Sequence, residues 1–187
     1  MFDVKLKIAD KSDLIAIYNV LKLSFPYNER RAKYDVKNLL TNGQEVFLKI
    51  VLEGKFIGFI AYRDIDKIRF FEYFAISPEF RNKGIGSIII EKFISDFISS
   101  KLETLVLEVE RPTDEIKERR IAFYNRIGFN LNKYDYNQPN YHTGKPVPMF
   151  LMTYQKELSF DDFCIIKKAI YNNVYTKQIQ KLPNMYK

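Results

Sequence analysis

Scarcity bounds this 187-residue chain before any motif is read. Cys164 is the only cysteine, which excludes an intrachain disulfide and a cysteine-based zinc cluster. There is no tryptophan, and His142 is the single histidine. Long apolar runs are missing too. The opening "MFDVKLKIADKSD" lacks the hydrophobic core of a signal peptide, and no run approaches a membrane span. The expectation is a soluble cytoplasmic protein with no membrane partner and no metal. No block of five or more like charges occurs, so no nucleic-acid patch is signalled. Internal repeats and low-complexity segments are absent, and nothing reads as a linker.

What is present is a core. Hydrophobic residues make up 47% and aromatics 16%, carried by 16 Phe and 13 Tyr. That content argues against disorder and suits one domain better than two. The net charge of +7 favours anionic partners such as phosphates and nucleotides.

Periodicity divides the chain into alternating elements. "FDVKLKIAD" alternates Val4, Leu6 and Ile8 with polar residues and reads as a half-buried strand. Asp10 or Ser12 caps a helix whose apolar positions are Leu14, Ile17, Val20, Leu21 and Phe25, and Pro26 ends it. "NERRAKYDVKNLL" is a second helix. "VFLKIVLEGKFIGFIAYRD" reads as a hairpin turning near "EGK", and "KIRFFEYFAIS" as a third strand. An amphipathic helix over "IGSIIIEKFISDFISS", a strand "ETLVLEVE" and a helix "DEIKERRIAFYNRIGF" follow. "YDYNQPNYHTGKPVP" reads as a polar loop, "MFLMTYQ" as a closing strand, and Phe160 to Tyr175 as a last amphipathic helix containing Cys164, read as core. The class is α/β: a mixed sheet, antiparallel in front and parallel in the second half, with helices on both faces.

One connection stands apart. "RNKGIGS", Arg81–Ser87, joins a strand to a helix with two glycines and two cations in seven residues. A helix start offers unpaired N–H groups and the positive end of the dipole, and glycine lets an anion reach them. Neither GxxxxGK[ST] nor GxGxxG is present. A plain strand-to-helix turn needing glycine for geometry would look the same over these seven residues.

The wider stretch "YFAISPEFRNKGIGSIIIEKF" resembles the acyl-CoA pyrophosphate motif of the GNAT superfamily of N-acyltransferases, R/Q-x-x-G-x-G/A after a strand. Arg81, Gly84 and Gly86 fill its fixed places. The element order from about residue 3 to 155 is similar to that fold, and "RRIAFYNRIGF" resembles its later helix through Tyr124, Gly128 and Phe129. The resemblance implies a GNAT domain over residues 1–157 and leaves 158–187 as a helical extension packed on that domain or on a partner subunit. It implies acetyl-CoA as co-substrate. The backbone of Arg81, Asn82, Lys83, Gly84, Ile85, Gly86 and Ser87 would hold the pyrophosphate. Phe74, Ala75 and Ile76 would pair with the pantetheine arm, with an N–H near Ala75 or Ile76 on the thioester carbonyl.

Acyl transfer to an amine requires a proton acceptor for the amine and a donor for the leaving thiolate. Tyr124, on the helix similar to the family's acid-bearing helix, is the donor the resemblance implies. Glu72 is the candidate base: it shares strand parity with Ile68, Phe70, Phe74 and Ile76, and apolar surroundings would raise its pKa. A strand-edge glutamate reaching solvent is the plainer alternative. Glu108 and Glu110 share a face of their strand and could anchor an amine or serve as base. Phe25, Tyr27 and Glu29 in "FPYNERR", with Tyr136 and Tyr141 of the polar loop, could enclose a small amine, neutralised by Glu29, Glu72 or Glu108. His142 reads as a surface residue.

The leading expectation is an acetyl-CoA-dependent N-acetyltransferase acting by direct attack in a ternary complex on a primary amine of a small molecule or peptide. A GNAT-like module that holds CoA without catalysis, as sensor or assembly subunit, is the alternative. Acyl-CoA and an amine are the expected partners; nucleic acid is not, and a homodimer is compatible with the sequence.

Overall fold

The structure, a computed structural model, describes residues 3–142 and 144–181. Residues 182–187 of the expected extension, and Phe2 of the first expected strand, lie outside the described residues. The chain divides into two compact units, Met1–Asp64 with Phe71–Lys101, and Ile65–Phe70 with Leu102–Lys187. Two of the borders, at residues 64–65 and 70–71, fall inside strands and not at a linker.

The first unit opens with β1 (Val4–Ile8), which pairs antiparallel with β2 (Val46–Leu52). Only Val4 of the expected apolar face is buried, and Ile8 is exposed, because β1 is the edge of the sheet. Asp10 caps the chain after β1: its carboxylate accepts from the Ser12 N–H at 2.7 Å, and Asp13 returns the bond to the Asp10 N–H at 3.0 Å. Helix α1 (Leu14–Ser24) follows and buries Ile17, Val20 and Leu21. A single 3-10 turn at Tyr27–Glu29 leads to α2 (Lys33–Asn42), shorter than the expected second helix and stopped by Gly43 at φ +69°. β2 and β3 (Lys55–Ile65) form the hairpin, turning through Glu53 and Gly54, both at positive φ. β4 (Ile68–Ile76) and α3 (Ile85–Ile98) complete the first unit, with the start of β4 belonging to the second.

The second unit holds β5 (Thr104–Glu110), α4 (Glu115–Arg126), β6 (Phe129–Gln138), β7 (Val147–Tyr154), α5 (Phe160–Asn173) and α6 (Thr176–Lys181). Strand order in the seven-stranded sheet is β1-β2-β3-β4-β5-β7-β6. β7 pairs antiparallel with both β5 and β6, which corrects the parallel pairing expected there. β6 itself corrects another expectation: the first third of the stretch read as a polar loop, residues 134–138, is strand. Its alternation is of tyrosine and amide against charge, with Tyr136 and Gln138 buried and Asp135 exposed, so a count of apolar residues misses it. Asn132 is buried where the β6–β7 register shifts, donating to Thr153 Oγ1 at 2.9 Å and accepting from the Leu158 N–H at 2.8 Å. Helix α5, capped by Ser159, lays Phe163 against Tyr134 at 4.9 Å between ring centroids and Tyr171 against Tyr136 at 5.6 Å. Cys164 is exposed on α5 and not core, one residue off the buried stripe of Phe163, Ile166 and Ile170.

Candidate active site

The glycine-rich connection leaves β4 through a 3-10 turn, Pro78–Phe80. Asn82 and Gly84 both take left-handed backbone, φ 60° and 74°. Alternating such residues turn successive N–H groups toward one side, the arrangement of an anion nest. Gly84 is the N-cap of α3; no side chain caps that helix, and its first turn holds no acid. Gly84 is thus explained by the turn alone. Gly86 is not: it sits in the first turn of α3, outside the positive-φ positions, where glycine costs up to about 1 kcal/mol relative to alanine. What glycine supplies at that position is the absence of a side chain beside the uncapped N–H groups.

Arg81 has a more structural part than its charge suggested. Its Nε donates to the Ile76 carbonyl at 2.7 Å and its Nη2 to Ser24 Oγ at 2.9 Å, fixing the connection to the end of β4 and to α1. Lys83 stays exposed, its ammonium 5.6 Å from the centre of the Phe80 ring. At the end of β4, Ala75 and Ile76 are buried and Phe74 is half-buried. Gly58 of β3, which the sequence reading did not single out, holds this end in place. A Cβ there would lie 2.2 Å from the Ala75 carbonyl oxygen and 3.0 Å from Ile76 Cα, so only glycine lets the strands come this near. A lone glycine inside an apolar strand was the available signal.

Glu72 departs from its expected environment. Its carboxylate takes two hydrogen bonds from Arg31, Nε to Oε1 at 2.8 Å and Nη2 to Oε2 at 3.0 Å. Both side chains are buried, as is that of Glu45, which lies 3.6 Å from Arg31 and 3.4 Å from Arg63. The surroundings of Glu72 are therefore ionic and not apolar. Sequence parity along one strand cannot show an arginine arriving from the segment before α2. Within this cluster the carboxyl pushed upward is that of Glu45, to about 8, by burial first and the charge of Glu72 second, against Arg31 and Arg63.

Of the acceptor candidates in the first unit, Phe25 and Glu29 gather around Tyr73. The Phe25 and Tyr73 rings meet edge-on at 5.0 Å, and the Tyr73 hydroxyl donates to the Glu29 carbonyl at 3.1 Å. Tyr27 is exposed, with the Arg30 guanidinium 5.7 Å from its ring centre, so it does not join an enclosure with them.

In the second unit Tyr124 is buried on α4 between the rings of Phe123 at 5.2 Å and Phe129 at 5.5 Å. Burial pushes its phenol up to about 12, opposed by the Arg120 charge. Glu110 is engaged by Arg120. Glu108, Tyr136 and Tyr141 do come together. The Glu108 carboxylate accepts from the Tyr136 hydroxyl, from Gln138 Nε2 at 3.0 Å and from the Tyr175 hydroxyl at 2.8 Å. Tyr141 packs on Tyr175 at 5.4 Å. Tyr136 and Tyr175 are wholly buried, while Glu108 between them is half-buried. Burial and the Glu108 charge hold the Tyr136 phenol well above its usual range. Tyr175 and Gln138 were missed because Tyr175 comes from the turn after α5 and Gln138 from a stretch not read as strand. His142 is half-buried, its N–H bonded to Asn140 Oδ1 at 2.9 Å. Among the described residues no group of three or more His, Cys, Asp or Glu side chains could hold a metal, and no helix is long and apolar enough to cross a membrane.

Comparison with known proteins bears on the fold and the family. A solved structure of a GNAT-family protein from Bacteroides thetaiotaomicron, assigned as an acetyltransferase, superposes with a TM-score of 0.82 at 32% identity, covering 91% of this chain and 98% of that one. The Bacillus subtilis (strain 168) protein YjbC, also assigned as an acetyltransferase, is 27% identical over 169 residues, 88% of this chain and 83% of its own length. The ribosomal-protein-S18-alanine N-acetyltransferase of Escherichia coli shares the fold, with a TM-score of 0.63 at 18% identity over 85% of this chain and 97% of that one. The profile of the Acetyltransferase (GNAT) family matches residues 14–129, and the chain belongs to that family.

Proposed function

We propose that this protein transfers an acetyl group from acetyl-CoA to a primary amine of a small molecule or peptide by direct attack in a ternary complex. The observation that carries the reading is Gly86, a glycine in helical conformation at the uncapped start of α3, behind the left-handed Asn82 and Gly84. In this reading the N–H groups from Asn82 to Ser87 hold the pyrophosphate, the Arg81 N–H being donated to the Pro78 carbonyl at 3.2 Å, and Phe74 to Ile76 pair with the pantetheine arm. An N–H at Ala75 or Ile76 polarises the thioester carbonyl as the amine nitrogen attacks its carbon. The C–S bond then breaks, the amine's proton leaves toward Glu72, and the thiolate takes a proton from Tyr124. Since burial raises the Tyr124 phenol to about 12, it is fully protonated at neutral pH and ready to donate.

One observation favours a second reading, a module that holds CoA without transfer. The Arg31–Glu72 pair stabilises the ionised carboxylate and so weakens Glu72 as a base. Mixing the protein with acetyl-CoA and a panel of primary amines, with free CoA as the readout, separates the two. Amine-dependent CoA release supports the enzyme. Calorimetric binding of acetyl-CoA without release supports the module, and no binding removes both.

A further inference from the structure

Three buried charged side chains and one half-buried one meet at the proposed base: Arg31 from the segment before α2, Glu45 just before β2 and Glu72 of β4, with the half-buried Arg63 of β3. Their compensation is unequal. Glu72 holds the Arg31 guanidinium by two bonds, at 2.8 and 3.0 Å. Glu45, with a side chain 0% exposed, has only looser contacts, 3.6 Å to Arg31 and 3.4 Å to Arg63. Glu45 Oε1 is buried without a hydrogen-bond partner. A buried carboxylate oxygen with no donor is costly as part of an anion, and a proton on that group removes the cost. Of the two carboxyl groups, then, the better-bonded Glu72 keeps the charge and Glu45 takes the proton.

We propose that Glu45 is a positioning residue for Glu72: the two carboxyl groups hold one proton between them beside Arg31, so that a proton delivered to Glu72 comes to rest on Glu45. The inference rests on the transferase reading for its role in catalysis but not for the shared proton. In the step it serves, which starts from the pair with both carboxyls ionised, the attacking amine loses one proton to Glu72, Glu72 passes it to Glu45 and is ionised again, and the departing thiolate is protonated separately. Glu72 can thus remain the entry point although Arg31 makes it a poor base. The groups of known position facing Glu45 are Arg31, Arg63 and Glu72, and of these only Glu72 is an acid that can exchange a proton with it.

The test has two arms. In the first, the acyl-CoA-free protein labelled with ¹³C at glutamate Cδ is titrated by NMR, with Glu45→Gln and Glu72→Gln proteins identifying the resonances. The expected result is a Glu45 inflection near 8 that moves down in the Glu72→Gln protein. If Glu45 and Glu72 both titrate as ordinary carboxyls, the shared proton is overturned, whether or not acetyl transfer occurs. The second arm is a pH profile of kcat/KM for acetyl transfer to a primary alkylamine. Glutamine at 45 mimics the protonated acid, so Glu45→Gln should match wild type near pH 6 and fall behind by about 10²-fold near pH 9, a general-base effect. A deficit constant across pH overturns the relay. Absence of transfer by wild type to any amine overturns the transferase reading and the relay with it, while the titration still decides the shared proton.

Discussion

Gly58 and Ala75 approach so closely that a methyl group on the first would sit 2.2 Å from the carbonyl oxygen of the second. The obstructing atoms are backbone, so no side-chain rotation relieves them. Gly58→Ala must push β3 and the end of β4 apart, at a cost of about 1–3 kcal/mol, the usual size for overpacking. The expected result is a thermal midpoint lower by several degrees together with weaker acetyl-CoA binding, because Ala75 and Ile76 move. Calorimetric titration and thermal unfolding check both. An unchanged midpoint would mean that the strands part without cost.

Gly86→Val should separate binding from folding. Valine is no worse a helix former than the glycine it replaces in the first turn of this 14-residue helix, so the fold survives. Its branched side chain occupies the space beside the uncapped N–H groups. Acetyl-CoA affinity should drop at least tenfold, about 1.4 kcal/mol, as read by calorimetry. Undiminished affinity in the folded variant would remove the anion-cradle argument.

These two glycines show how far sequence reading reaches. The cradle was legible because its geometry is local: a strand end, two glycines and a helix start lie within a dozen residues. Tyr124 was legible only through family likeness, and its burial between Phe123 and Phe129 came from the structure. The environment of Glu72 was misread because its partners are distant in sequence, Arg31 by 41 positions, and strand parity carries no information about what another segment brings. For the same reason the bond from Tyr175, 67 positions on, to the Glu108 carboxylate could not be read from the strand alone.

The pH dependence of stability follows from Glu45. Its carboxyl lies at about 8 in the folded protein against 4.5 as the ordinary value. Between these values the folded state binds more protons than the unfolded state, so stability declines as pH rises. The contribution is complete below about 4.5 and lost as pH passes through about 8. The thermal midpoint of wild type should therefore fall across this window. In Glu45→Gln the decline should be much shallower, since glutamine does not titrate. Equal slopes for the two proteins would assign the decline to other groups.

The C-terminal helices should be structural. Removing everything after Glu157 takes away Phe163 and Tyr171, which cover Tyr134 and Tyr136, and the Tyr175 hydroxyl that donates to Glu108. Loss of this packing is expected to lower the thermal midpoint by 10 °C or more, or to abolish soluble folding. The milder Tyr175→Phe removes the hydroxyl's bond to the Glu108 carboxylate and the one it accepts from Gln138, the first alone worth about 1.5–3 kcal/mol. A truncated protein as stable as the full chain would show the extension to be an appendage.

Tyr124→Phe tests the chemistry. The ring stays to pack on Phe123 and Phe129, and only the proton donor is lost. Acetyl-CoA affinity should change little, while kcat should fall by roughly 10²–10⁴-fold, the size of a general-acid contribution. The phenol's value of about 12 fixes the expected pH profile. An acid catalyst works while protonated, and Tyr124 remains so throughout the range in which the protein is assayed. Wild type should therefore show no fall in rate from pH 8 to 10 attributable to this group. A descending limb in that interval that disappears in Tyr124→Phe would mean the phenol ionises near its ordinary value, and the burial argument would be wrong. Turnover within twofold of wild type would rule out Tyr124 as the acid, leaving the thiolate to be protonated by solvent.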